Sequence, residues 1–262
     1  MEQISVQMKT RLWLVFWALF FLITFVARSV ADADFFWHLK TGMWILENRA
    51  LPVPDPLSPV ADIAPDWQQS FTLSAYWLSQ VFYALFYYVG GYWGIILFRV
   101  VIVALFAWLM LRQVRHLPPF SAIANQVIVF FILLSSYAVD RPQFLSFVAF
   151  AALMLLLQGL RTASTRRTFV FLATGLSVLM LVWGNIHGGY LAGQVTILCF
   201  LISEAGQCLL SGKKRSGLSL RYFVLACSVA IGASFLNPNG LITLKALGGL
   251  VLQNPDNYSY IT

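Results

Sequence analysis

Two carboxylates separated by one residue, Asp32 and Asp34, stand directly after the first apolar run of the chain. Such a pair can share a divalent cation, Mg or Mn, with a phosphate, because hard cations take oxygen ligands. Alternatively, one carboxylate is a general base made stronger by its neighbour's charge. A plainer use competes with both: solvated aspartates often mark the end of a span. Asp140-Arg141-Pro142-Gln143 fills an almost absent connection between two later apolar runs. Arg suits a two-pronged grip on phosphate, whereas an adjacent Asp–Arg ion pair would only cap two helices. Asn185-Ile186-His187-Gly188-Gly189 ends one run and begins the next. Its glycines permit close backbone approach, and His187 can donate to a phosphate or to a leaving-group oxygen. A capping turn with a hydrogen-bonded histidine explains the same residues. Asn237-Pro238-Asn239-Gly240 is a turn signal and by itself nothing more. Arg99 lies inside an apolar run, where it either pairs with a polar residue of a neighbouring span or points into a lipid-phosphate groove.

The elements that must position these residues are membrane spans. Of 262 residues, 60% are hydrophobic and only 10% are charged, against about a quarter charged in soluble domains. Apolar runs cover Leu12–Val30, Trp93–Leu111, Ile123–Val139, Phe144–Gly159, Phe169–Trp183, Tyr190–Leu210 and Tyr222–Phe235. Runs of roughly 20 residues cross about 30 Å of hydrocarbon, so the pattern predicts an all-α polytopic bundle of about seven spans. Ser29-Val30-Ala31 resembles a signal-peptidase site, but the apolar core before it is long for a signal peptide and more spans follow. The first run therefore reads as a retained anchor.

A shorter apolar stretch, Leu73–Val89, decides the topology. If it lies in the interface, the loops around Arg112/Arg115, Arg161/Arg166/Arg167 and Lys213/Lys214/Arg215/Arg221 join Lys9 and Arg11 in the cytoplasm. That places 11 of the 17 Lys and Arg residues inside, as the positive-inside rule requires. The same topology gathers Asp32, Asp34, Asp140, Asn185, His187, Asn237 and Asn239 on the outer face. The expected location is therefore a cell inner membrane, with multiple passes and a cytoplasmic N-terminus. The chain reads as a single membrane domain, 1–262, with an extracytoplasmic loop over 31–92.

That loop opens with a predicted interfacial helix, Asp34–Asn48, on which Phe36, Leu39, Met43 and Leu46 recur at helical spacing while Trp37 and Trp44 suit the headgroup zone. A Pro-rich coil, 51–59, follows. The Leu73–Val89 helix then carries Tyr76, Gln80, Tyr83 and Tyr87 as one polar-tipped stripe, expected to face a cleft; an aromatic belt in the headgroups is the alternative.

Most of the charge sits in short loops, which argues against a nucleic-acid partner despite the net +7. Cys199, Cys208 and Cys227 lack CxxC spacing and nearby histidines, which leaves them as apolar packing residues. No Gly-rich phosphate loop, nucleophile elbow or HExxH occurs, so no soluble-enzyme motif is present.

The stretch Asp32-Ala-Asp-Phe-Phe-Trp-His-Leu-Lys-Thr-Gly-Met-Trp-Ile-Leu-Glu-Asn48, then Asp55-Pro-Leu-Ser58, Arg141-Pro-Gln143, Asn185-Ile-His-Gly-Gly189 and Asn237-Pro-Asn-Gly240, in that order, resembles bacterial polytopic members of the C-type glycosyltransferase superfamily. The likeness covers about the N-terminal half of a typical member, so a fragment, a truncated product and a minimal member all fit. It implies transfer of a sugar from a polyprenyl-phosphate-linked donor, with membrane lipid around the site. Asp34 matches the position of the acidic base or metal ligand, and Asp32 the less constant one. Arg141, His187, Asn185, His38, Lys40 and Tyr76 are then substrate-binding candidates, and Mg or Mn at Asp32 and Asp34 is the candidate cofactor. Members often carry His-Glu before the Trp of the interfacial helix; Ala75-Tyr76-Trp77 here lacks that acid. Two alternatives stand beside the enzyme: a non-catalytic membrane subunit with a membrane-protein partner, and a lipid-linked sugar transporter. The transporter would need polar groups through the whole membrane depth, and the spans offer little beyond Arg99.

Overall fold

The computed structural model describes residues 32–58, 67–115, 140–211 and 219–240, with most of 8–30 and of 117–128. Among them there is no strand. Seven helices are delimited: α1 (Ala33–Asn48), α2 (Trp67–Ser74), α3 (Trp77–Val114), α4 (Pro142–Thr162), α5 (Arg166–Ile186), α6 (Tyr190–Ser211) and α7 (Leu220–Ser234). The fold class is the expected one: an all-α helix bundle.

Four of these helices, α3 to α6, are long and apolar enough to cross a membrane. Helix α7 has only 15 residues, about 22 Å at 1.5 Å per residue, which falls short of the hydrocarbon thickness. Of the other two expected spans, Leu12–Val30 is only partly described, its described residues as far as Thr24 being helical. Most of Ile123–Val139 lies outside the described residues.

Helix α3 is two limbs rather than one rod. Its backbone leaves helical geometry at Gly90 (φ −149°, ψ 17°) and Gly91 (φ 56°, ψ −138°), and the second conformation favours a residue without Cβ. Phe82 and Phe98 would sit about 24 Å apart along a straight helix, yet their ring centroids are 6.5 Å apart, and those of Phe86 and Phe98 are 4.7 Å apart. The limbs therefore fold back on one another. A Cβ on Gly94 would stand 1.9 Å from the Phe86 carbonyl oxygen, so glycine lets the limbs meet backbone to backbone. The first limb, of about 20 Å, is too short to span, in keeping with the separation of Leu73–Val89 from the following span.

Three details of the segment 31–92 differ from the sequence reading. Leu73–Val89 is interrupted: α2 ends at Ser74, and Tyr76 sits in the turn before α3 with φ −112° and ψ 2°. Of the Tyr76/Gln80/Tyr83/Tyr87 stripe, Gln80 and Tyr83 are buried, with Tyr83 packed against Phe35, Leu39 and Ile95, whereas Tyr76 and Tyr87 are half-buried. The buried face of α1 is Phe35, His38, Leu39, Thr41, Gly42 and Ile45, with Phe36 outside. The cause is Gly42. A Cβ there would lie 1.9 Å from the Gln80 carbonyl oxygen, so α1 is turned until its one glycine meets α3. Residues 51–58 are coil, as their prolines require.

The main core joins Leu153, Leu157 and Leu160 of α4 with Leu176, Met180 and Trp183 of α5, Ile197 of α6, and Phe223 and Cys227 of α7. Chain direction reverses between α4 and α5, between α5 and α6, and between α6 and α7. This brings the start of α4, the α5–α6 turn and the end of α7 to one end of the bundle. The opposite end holds a pair that sequence reasoning missed, Arg161 to buried Glu204 at 2.7 Å.

Candidate functional site

The site lies at the end where those turns meet, beneath α1. Asp32 is the N-cap of α1; its Oδ1 accepts the Asp34 amide at 2.9 Å, the usual way a carboxylate satisfies a free helix N–H. Arg141, the N-cap residue of α4, is followed by a proline that fits the first helical turn. Its guanidinium donates from Nε to Asp32 Oδ2 at 2.5 Å and from Nη2 to Asp32 Oδ1 at 3.0 Å. Its Nη1 contacts Asp34 Oδ2 at 2.6 Å. One guanidinium thus bridges both carboxylates across 109 residues of sequence. The two acids are not equivalent. Asp32's side chain is 11% exposed and Asp34's is 55% exposed. Asp32 is a strut, and Asp34 is the acid open to a ligand.

The imidazoles lie beside this bridge. His38, one turn along α1, is buried; its Nδ1 receives the Gln80 amide at 3.2 Å. The Tyr76 ring sits between the two histidines, 5.2 Å from His38 and 5.4 Å from His187. His187 in turn meets Ser146 of α4 at 2.7 Å through Nδ1, and the Trp183 indole donates to Ser146 Oγ at 2.8 Å. Ser146 and Trp183 went unremarked in the sequence, where each reads as part of an apolar run. The available signal was Ser146 five residues after Arg141, near the same end of the same helix.

Charges and burial set the protonation states. Burial raises the Asp32 pKa, but the Arg141 hydrogen bonds, the Asp34 amide and the positive charge nearby outweigh it and hold the carboxyl below its ordinary value. Burial, then the charges of His187 and Arg141, push His38 down to about 3, against an opposing pull from Asp32. Burial brings His187 down to about 4 and raises the Tyr76 phenol. Both imidazoles are therefore neutral through the physiological range. In the unfolded chain each would bind a proton near pH 6.5. Stability is thus complete above about pH 6.5 and erodes as pH falls toward 4, by up to about 1.4 kcal/mol per histidine per pH unit. Asp32 adds a loss only below its ordinary range, near pH 4. Thermal unfolding in detergent should show this acid slope, and His187→Gln should flatten part of it. A slope unchanged in His187→Gln would contradict burial of a neutral ring.

Other sequence candidates fare differently. Asn185 is near the site but committed: its Oδ1 accepts the Trp77 indole at 2.9 Å, and its Nδ2 donates to the carbonyls of Leu181 and Leu236 at 2.8 and 2.9 Å. It ties α3 and the end of α7 to α5. Lys40 is exposed, pointing about 160° around α1 from His38, and does not join the site. Asp140 does not pair with its neighbour Arg141. It takes Arg99 instead, Nε to Oδ1 at 2.8 Å and Nη2 to Oδ2 at 2.6 Å, both residues buried. That resolves the partner of Arg99. Asn239 Oδ1 accepts from Ser74 Oγ at 2.8 Å, which brings the fourth motif to the same end.

For a divalent cation the fit is poor. Among the described residues no group of three His, Cys, Asp or Glu side chains converges, and Arg141 occupies the position between the two carboxylates where an ion would sit. A metal would have to displace it, so no step is assigned to one. The free cysteines Cys199, Cys208 and Cys227 lie in α6 and α7, away from these acids.

Neither a protein-family model, nor a curated protein, nor a solved structure is significantly similar to the chain.

Proposed function

We propose that the chain is a membrane glycosyltransferase that takes its sugar from a polyprenyl-phosphate-linked donor on the extracytoplasmic face. The observation that carries this reading is the Asp34–Arg141 contact beside two neutral histidines, assembled from motifs whose order resembles the C-type glycosyltransferase superfamily. A site for such a donor needs a cation for the phosphate, a neutral donor for the leaving oxygen and an exposed carboxylate for the acceptor. Arg141, His187 and Asp34 supply these in turn.

In the proposed step, donor phosphate competes with Asp34 for Arg141 Nη1, and Asp34 swings toward the acceptor. The acceptor's oxygen or nitrogen attacks the anomeric carbon while its proton passes to Asp34. The bond from that carbon to the phosphate oxygen breaks, and its electrons leave on polyprenyl phosphate. In this reading Arg141 and the His187 N–H meet that growing charge, and donors held in place beforehand are the most effective way for fixed groups to lower such a barrier. Asp32 keeps Arg141 in place throughout.

A second reading, a non-catalytic membrane subunit with a protein partner, draws on the completeness of the contacts. Asp32, Asp34 and Arg141 satisfy one another, as a purely structural bridge would. The experiment is incubation of the full chain in lipid nanodiscs with polyprenyl-phosphate hexoses, scoring donor consumption and donor binding. Turnover of any donor supports the transferase. Absence of both binding and turnover across the donor series moves the assignment to the subunit.

A further inference from the structure

The hydrogen bonds around His187 decide more than its position. A backbone N–H can only donate, and the Gly189 amide is directed at His187 Nδ1 at 2.8 Å. That nitrogen must therefore carry a lone pair. Ser146 Oγ is 2.7 Å from the same atom and accepts the Trp183 indole N–H, another obligate donor, at 2.8 Å. Its own hydroxyl proton is then free to share the Nδ1 lone pair with the Gly189 N–H in a three-centre bond. Both hydrogen bonds to the ring fall on Nδ1, so the ring's single proton resides on Nε2, which remains for a ligand.

The packing makes this arrangement obligatory. A Cβ at position 189 would lie 2.5 Å from Ser146 Oγ and 2.8 Å from His187 Nδ1, so only glycine lets its amide come this close. A Cβ at Gly193, one turn further along α6, would lie 2.6 Å from the Trp183 ring. The indole is thus slotted against α6 and its N–H is aimed. Trp183 and Ser146 are both buried. Placing a proton on Nδ1 would set N–H against the Gly189 N–H, which resists ionisation beyond the effect of burial.

We infer that Ser146, Trp183 and Gly189 are a positioning relay that locks His187 as the neutral Nε2–H tautomer, making it a one-proton donor to an anionic or ether oxygen of the ligand. This rests on the transferase reading for the identity of that oxygen, a phosphate oxygen of the donor, but the lock itself does not. It also limits the mechanism. His187 is neither the general base nor an imidazolium acid, which is compatible with Asp34 as the base. Around the ring, the charged and titratable groups are His38 and Tyr76 on one side and, further off, Arg141; Ser146 and Trp183 contribute only neutral dipoles.

The chain has three histidines, so 15N-histidine labelling of the full protein in nanodiscs gives few enough imidazole signals to assign with His187→Gln. The expected spectrum has an unprotonated Nδ1 and a protonated Nε2 for His187, unchanged from pH 8 to pH 5. A protonated Nδ1, or an imidazolium at pH 6, would overturn the inference without any variant being made. In Ser146→Ala the His187 midpoint should rise by about one pH unit or more toward the ordinary value as one bond to Nδ1 is lost; an unchanged spectrum would remove Ser146 from the relay. Adding polyprenyl monophosphate separates the two ideas. A shift confined to Nε2 supports both. The expected tautomer with no response to phosphate keeps the lock and counts against the transferase.

Discussion

Replacing Arg99 with alanine should cost the fold about 3–5 kcal/mol, because it leaves the Asp140 carboxylate buried without its cation. The Arg99 side chain is 1% exposed and that of Asp140 is 10% exposed, so water cannot take over the pairing. Asp140→Ala should cost a comparable amount for the complementary reason. The double variant Arg99→Met/Asp140→Leu is expected to recover most of the loss, since well-packed apolar residues often replace a buried ion pair at little cost. Denaturant unfolding of the wild type, the two alanine variants and the double Arg99→Ala/Asp140→Ala variant in one detergent gives the coupling energy directly. Additive effects, or single losses under about 1 kcal/mol, the ceiling typical of exposed pairs, would show that the pair is solvated in the membrane. The pair has a consequence for the site as well: it fixes the residue immediately before Arg141, so the single variants should also loosen Arg141's grip on Asp32.

Why Arg99 had no partner in the sequence is instructive. Asp140 lies 41 residues away and is covalently next to Arg141, so local reading joins the wrong two charges. Consecutive residues at a helix start point in different directions, and Asp140 turns to α3 while Arg141 turns to α1. Composition and apolar run length sufficed for the helices, because the membrane demands both. The Gly90–Gly91 break was legible as a separation between Leu73–Val89 and Trp93–Leu111. The folding back of the two limbs was not, since it depends on Gly94 and on ring contacts that only three dimensions supply. On α1 the apolar spacing of Phe36, Leu39, Met43 and Leu46 pointed to one face, whereas a single glycine chose another. Glu204 was visible as a carboxylate within an apolar run, which is itself a signal, and its partner Arg161 sits in a loop already marked as basic. Of the candidate site residues, Asp32, Asp34, Arg141, His38, Tyr76 and His187 do come together. Their residue types and order carried that information. Which of them were struts rather than free groups did not follow, because that depends on hydrogen bonds such as those that commit Asn185.

Asp34→Asn is the substitution expected to matter most for activity. It preserves the shape of the side chain and removes only its charge and proton affinity. If Asp34 takes the acceptor proton, turnover should fall by about 10²–10⁴-fold, the usual contribution of a general base, while the donor dissociation constant changes little. Binding could even tighten, because the phosphate would no longer compete with a carboxylate for Arg141 Nη1. Asp32→Asn makes the informative contrast. Asparagine still caps α1, but the two charge-assisted hydrogen bonds from Arg141 weaken, with a stability loss on the order of 1–3 kcal/mol and poorer donor binding from a less well-held guanidinium. The two carboxylates should therefore separate cleanly, one variant failing in turnover with binding intact and the other failing in binding and stability. Equal loss of donor binding in both would make the acids a single electrostatic unit and remove the base role from Asp34. Full turnover by Asp34→Asn would end that role outright, and the exposed carboxylate would then be no more than the outer half of the bridge that anchors α1 to α4.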